Sequence, residues 1–142
     1  VITAEEFVAQ ARALIGVPWQ HQGRGLCGVD CIGLIDLSFK GAGIDLAQFL
    51  GITDKRNYGR GAHPDLLRSV RELCTPISQP IDGCLIVMKF PQEKFPRHFG
   101  VYAGGNIIHS DARAGQVVEC GYRGLWQRCQ HSLWKIPGVS YA

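Results

Sequence analysis

The dipeptide Gly104-Gly105 constrains this chain most. It is followed by Asn106 and flanked by two apolar runs, His98-Phe99-Gly100-Val101-Tyr102-Ala103 before it and Ile107-Ile108-His109 after it. Glycine takes the left-handed backbone that a tight hairpin demands, so Gly104-Gly105-Asn106 reads as the turn between two antiparallel strands. The pairing has a chemical consequence. His98 opens one strand and His109 closes the other, so the two imidazoles come near one another at the open end of the hairpin.

The neighbouring elements follow from pattern. Leu85-Ile86-Val87-Met88-Lys89-Phe90 is a nearly continuous apolar run bounded by Asp82-Gly83 and Pro91, which reads as a buried strand. Residues 91–97 form a polar, proline-bearing loop. Residues 116–120 and 130–136 read as the last two strands. Ahead of Pro80 the pattern is helical. Thr3 to Ile15 reads as a helix, with Thr3 and Glu6 spaced as a capping box, Phe7, Ala11, Leu14 and Ile15 on one face, and Gly16 and Pro18 as its stop. Residues 44–63 are loop-like, with a surface turn at Asn57-Tyr58-Gly59-Arg60-Gly61. Pro64 to Leu73 is an amphipathic helix opened by proline, and His63 at its mouth has a capping or surface role. Helices first and an antiparallel meander second imply α+β, with helices packed on one face of the sheet. The 142 residues contain no linker or repeat, so one domain over 1–142 is expected.

The remaining element carries the chemistry. Gly23, Gly25 and Gly28 lead into Asp30-Cys31-Ile32-Gly33-Leu34-Ile35, and Leu34, Ile35 and Phe39 recur at helical spacing up to Gly41 and Gly43. Asp30 is placed as N-cap, which puts Cys31 in the first turn. Unpaired N–H groups and the positive dipole end make that the position where a thiol ionises most easily. A cysteine at large is more often an inert core filler. A capped cysteine joined by two converging histidines is instead the minimum for a nucleophile with a base and an orienter. Cys31 is then the nucleophile, His98 the general base and His109 the residue that fixes the His98 tautomer. The Cys31 main-chain N–H would supply one oxyanion donor. Trp19 and His21 lie just ahead of the cysteine. Trp19 is either a core anchor or a wall of the site with its indole N–H as donor.

Composition excludes several classes. A net charge of +3 without a basic run or interleaved aromatics gives no nucleic-acid motif. No stretch approaches the roughly 20 apolar residues of a membrane span. The six cysteines include no CxxC pair, which leaves a zinc site without support. A chain of this size does not need disulfides, and a mostly reduced protein is expected, although Cys27 and Cys31 could pair on oxidation.

Gly28-Val29-Asp30-Cys31-Ile32-Gly33-Leu34-Ile35, then His98-Phe99-Gly100-Val101-Tyr102, then Ile107-Ile108-His109, resemble the three motifs of the NlpC/P60 cell-wall peptidases, in the family's order. Gly16 to Arg24, Leu125-Trp126 and Trp134 to Gly138 resemble the phage-encoded branch. The resemblance implies a papain-like α+β domain, with the cysteine helix on a five- to six-stranded antiparallel sheet. It implies a cysteine peptidase acting on peptidoglycan stem peptides, between D-γ-glutamyl and a diamino acid, with no metal or organic cofactor. By this match Cys31, His98 and His109 are catalytic, and Asp30, Trp19, His21 and Ile32 lie on the substrate side. Phage tail proteins are implied partners, with a virion-associated or envelope-delivered location. Three positions depart from the family pattern: Trp19 where Tyr is frequent, Ile32 where Ser is frequent, and Gly83-Cys84 where Gly-Asp is common. The rival readings are a papain-like amidase or acyltransferase on a non-wall substrate, a non-enzymatic tail-assembly or wall-binding module, and a redox module built on Cys27 and Cys31.

Overall fold

The structure is a computed structural model that describes residues 1–21, 23–43 and 63–141. The turn expected at Asn57–Gly61 lies outside the described residues. In chain order the elements are β1 (Ile2–Thr3), α1 (Ala4–Arg12), β2 (Arg24–Gly25), β3 (Gly28–Val29), α2 (Cys31–Gly41), α3 (His63–Leu73), β4 (Thr75–Ile77), β5 (Leu85–Met88), β6 (His98–Ala103), β7 (Asn106–Asp111), β8 (Gln116–Gly121), α4 (Leu125–Arg128), β9 (Gln130–Lys135) and β10 (Val139–Ser140).

The hairpin turn forms as its glycines dictate. Gly104 and Gly105 both have positive φ, at 54° and 85°, and Ala103 pairs with Asn106 across them. The main sheet has six strands in the order β4-β9-β5-β6-β7-β8, and every neighbouring pair is antiparallel. The central strand β5 is buried along its whole length, because both sheet faces are covered. One face carries Leu85, Val87, Phe99, Val101 and Ile108 into a core shared with Phe7, Leu34 and Phe39 of α1 and α2. The other carries Ile86, Met88 and Ile107 into a second cluster with Tyr122, Cys129 and Leu133. Both helices lie on the first face, as the helices-then-meander pattern implied.

Helix α1 starts at the expected cap. Thr3 Oγ1 accepts from the Glu6 N–H at 3.0 Å, and the Glu6 carboxylate accepts from the Thr3 N–H at 3.3 Å. It ends at Arg12, three residues earlier than the apolar spacing predicts. Residues 13–16 continue as tight turns, and Ile15 is 47% exposed, so it does not join the buried face. Phe7 and Phe39 meet at 4.7 Å between ring centroids, which locks α1 against α2. The Arg12 side chain makes a two-pronged ion pair with Glu119 of β8, at 2.9 and 3.0 Å.

Some short elements escaped the sequence pattern. β4 pairs with the far edge of β9, and β1 lies parallel to β10 over two residues. β2 and β3 form a small hairpin directly before α2. Strand β5 ends at Met88, two residues before Phe90. Residues of such two- and three-residue strands carry too little alternation to be read from pattern alone.

Candidate active site

The approach to Cys31 is built from backbone. Val29 donates to the Pro18 carbonyl at 2.9 Å, and Gln20 donates to the Val29 carbonyl at 3.0 Å. The Asp30 carboxylate accepts from the Gly33 N–H at 2.8 Å, which is the cap the sequence called for. Cys31 is therefore the first residue of α2. Gly33 has to be glycine, since a Cβ there would run into the Gly23 carbonyl oxygen as the loop folds back over the helix.

A second strut joins this approach to the histidine strand. Ser110, next to His109 on β7, donates its buried hydroxyl to the Val29 carbonyl at 2.7 Å. It ties the cysteine-bearing segment to β7 two residues before Cys31. On the other side, Cys31 Sγ lies 3.7 Å from the carbonyl oxygen of Arg97, the residue before His98.

Register explains the histidine pair. Val101 pairs with Ile108. Continuing that ladder sets Gly100 opposite His109, with His98 two residues further along and on the same face. At Gly100 a side chain would collide, because a Cβ would stand 2.6 Å from Ile107 Cδ1. The two rings meet diagonally past this glycine: His98 Nε2 and His109 Nδ1 share a hydrogen bond of 2.7 Å, with the rings edge to face at 4.9 Å between centroids.

Aromatic side chains enclose the pair. Trp126 stacks on His98 at 6.2 Å and meets His109 edge-on at 4.6 Å. Phe90 lies 5.8 Å from His98. The Arg113 guanidinium sits 5.3 Å over the Trp126 ring. Burial pushes the His98 pKa well below the ordinary imidazole value, and the neighbouring His109 and Arg113 push the same way. Burial also lowers that of His109, against a small opposing pull from Asp111. Both rings are accordingly neutral at neutral pH, the state in which one nitrogen of each is a proton acceptor.

These groups border one cleft of about 370 Å³ at the end of the sheet, where Trp19, His21, Asp30, Cys31, His98 and Arg113 meet. Arg97, Glu93, Phe90, Ser110 and Asp111 complete much of its wall. A pre-formed concave site with thiol, imidazoles and both signs of charge can bind an extended polar chain and present its amide to a nucleophile. All six cysteines are present as thiols. Among the described residues no group of three His, Cys, Asp or Glu side chains is arranged to hold a metal ion, and no helix is long and apolar enough to cross a membrane.

The profile of the NlpC/P60 family matches residues 16–135. The chain belongs to the NlpC/P60 family. No curated protein matches it by sequence. Solved structures of similar fold include an NlpC/P60 family protein from Bacillus cereus, 19% identical with a TM-score of 0.71, over 94% of this chain and 40% of that one. The NlpC/P60 domain of the peptidoglycan hydrolase SagA is 20% identical with a TM-score of 0.62, over 95% of this chain and 100% of that one. The peptidoglycan hydrolase RipB from Mycobacterium tuberculosis is 24% identical with a TM-score of 0.57, over 94% of this chain and 64% of that one. The chain thus spans well under half the length of the Bacillus protein. At these identities the likeness concerns the fold, a papain-like α+β domain with a six-stranded antiparallel sheet.

Within this NlpC/P60 domain the structure gathers Cys31, His98, Asp30, Trp19 and His21 on one cleft, with His109 directly behind His98. Trp19 is 36% exposed and not a core anchor; its main-chain N–H donates to the Gly115 carbonyl at 2.9 Å. Ile32 is not among the residues that line the cleft. It is 5% exposed and belongs to the helix-side core. An apolar residue there is a packing choice. Sequence reasoning gave no role to Trp126, Phe90, Arg97, Arg113 or Ser110. The only signal for Trp126 was its place in the resemblance. The others come from loops, or from a strand end, whose position only the folded sheet decides.

Proposed function

We propose that this domain is a cysteine peptidase that hydrolyses an amide of bacterial peptidoglycan stem peptides, with D-γ-glutamyl–diamino acid as the favoured bond. The observation that carries the reading is the shared cleft of Cys31 and His98, with His109 hydrogen-bonded behind the imidazole at 2.7 Å. Family membership, and solved relatives described as peptidoglycan hydrolases, support the substrate class.

In this reading the Cys31 thiol gives its proton to His98 and attacks the carbonyl carbon of the scissile amide. The Cys31 main-chain N–H, at the positive end of α2, stabilises the oxyanion, and Trp19, a residue of the same cleft wall, adds its indole N–H as a second donor in this reading. His98 then protonates the leaving amine, which departs from a Cys31 thioester. Water, deprotonated by the same imidazole, hydrolyses the thioester and restores the thiol. Trp19 can donate but not accept, so it serves the oxyanion alone. Asp30 both caps α2 and presents its carboxylate side to the substrate. The cleft offers both signs of charge to a stem peptide: Arg113, and Arg97 ion-paired to Glu93 at 3.2 Å, stand beside Asp30 and Asp111.

A place in a phage tail is part of the proposal and rests on the sequence resemblance of Gly16–Arg24, Leu125-Trp126 and Trp134–Gly138. The test of the function is mass spectrometry of purified muropeptides after incubation with the wild type and with Cys31→Ala.

A further inference from the structure

One more polar side chain lies in line with the histidine pair. Cys120 Sγ is 3.8 Å from His109 Nε2. Cys120 pairs with Ile107, and Val118 pairs with His109, so Cys120 shares the His109 face on the next strand. His98, His109 and Cys120 form a row across β6, β7 and β8. The proton transfers between Cys31 and His98 do not pass through Cys120.

Proton accounting gives the row a meaning. A neutral imidazole has one N–H and one lone pair. Only one proton lies between His98 Nε2 and His109 Nδ1, at 2.7 Å. If His109 supplied it, His98 would hold its own proton on Nδ1 and have no lone pair left for a thiol. If His98 supplies it, Nδ1 of His98 is the open base, and His109 must carry its proton on Nε2. His109 is fully buried, so that N–H needs an acceptor, and the Cys120 sulfur stands at the distance of one.

We propose that Cys120 is a positioning residue: its sulfur accepts the His109 Nε2–H, and the bond holds His98 in the tautomer whose Nδ1 can take a proton. The role of His98 as base rests on the hydrolase reading, whereas the tautomers rest on the row of contacts. Cys120 does not line the cleft and acts only through His109. Burial and the carboxylates of Asp111 and Glu119 push its own thiol pKa up, which keeps it from competing as a nucleophile.

The experiment is two-bond 15N–1H NMR of the full chain labelled at histidine, at neutral pH, on the wild type, Cys120→Val and Cys120→Ser. It needs no substrate. The wild type is expected to show His98 and His109 both protonated on Nε2. Valine, a good strand residue without an acceptor, shifts His109 toward the Nδ1–H form, and serine keeps the wild-type pattern. On muropeptides, kcat of the valine variant falls about five- to tenfold, the rate equivalent of one ordinary hydrogen bond, with KM unchanged. A wild-type His109 protonated on Nδ1, or identical tautomers in wild type and Cys120→Val, would overturn the proposal. The expected tautomers in a wild type that turns over no muropeptide would support the Cys120 contact and count against the hydrolase reading.

Discussion

His98 and His109 touch at 2.7 Å between Nε2 and Nδ1, although the strand ladder sets neither opposite the other. The contact is diagonal, and it passes a glycine that leaves the path open. It brings a buried and a half-buried imidazole into one unit that folding must keep neutral.

That neutrality has a cost that depends on pH. In the unfolded chain both rings take up protons below about pH 6.5. In the folded protein their pKa values are lowered, chiefly by burial. The unfolded state therefore binds more protons than the folded one in the window below that value, and stability falls as pH drops through it. Above the window these two groups contribute no slope. Urea midpoints measured at mildly acidic and at neutral pH should differ more for the wild type than for His98→Gln. Equal differences would show that the pair does not set this dependence.

Trp126 packs over the pair, stacked on His98 and T-shaped to His109. Truncation in Trp126→Ala admits solvent and relieves the desolvation that lowers both pKa values. An NMR titration should then find His98 protonating at higher pH than in the wild type. Its acid limb in kcat/KM should move the same way. No upward shift would mean that Arg113 and His109, not burial, hold the value down.

Asp30 has two roles that substitution can separate. Loss of the cap in Asp30→Ala should cost about 1 kcal/mol, read from denaturant unfolding. Asp30→Asn retains a capping oxygen and should recover most of that stability. If the carboxylate also serves the substrate, the asparagine variant will fold well but show a raised KM. A normal KM in Asp30→Asn confines the residue to capping.

Ile32 is a core residue, and its substitution should behave as one. Ile32→Val should cost about 0.5–1.5 kcal/mol with KM unchanged. Ile32→Ser, which carries the side chain frequent in the family, should cost more because it buries a hydroxyl in an apolar site. A serine variant of wild-type stability with altered KM would place this position on the substrate after all.

The elements that frame the candidate site were legible through strong local signals. The Gly104-Gly105 turn fixed the hairpin that carries the histidines, and the Asp30 cap fixed where α2 begins. Both depend on one or two residues with sharply defined backbone needs. The burial of Ile32 was not legible, because it depends on how α2 lies on the sheet. Trp126 and Arg113 were not legible for a related reason. They arrive from the short helix α4 and the β7–β8 turn, whose placement follows from the assembled sheet. The Ser110–Val29 bond spans 81 residues and has no pattern in the chain.

The central claim is that Cys31 cleaves stem-peptide amides, and muropeptide mass spectrometry tests it most directly. The wild type should convert purified muropeptides to products split after D-glutamate, while Cys31→Ala should be slower by at least about a thousandfold, as expected for loss of a nucleophile. Thermal melting should show the alanine variant folded. Equal cleavage by both proteins would contradict Cys31 as nucleophile. Intact muropeptides with both, while iodoacetamide alkylates wild-type Cys31, would contradict the wall substrate.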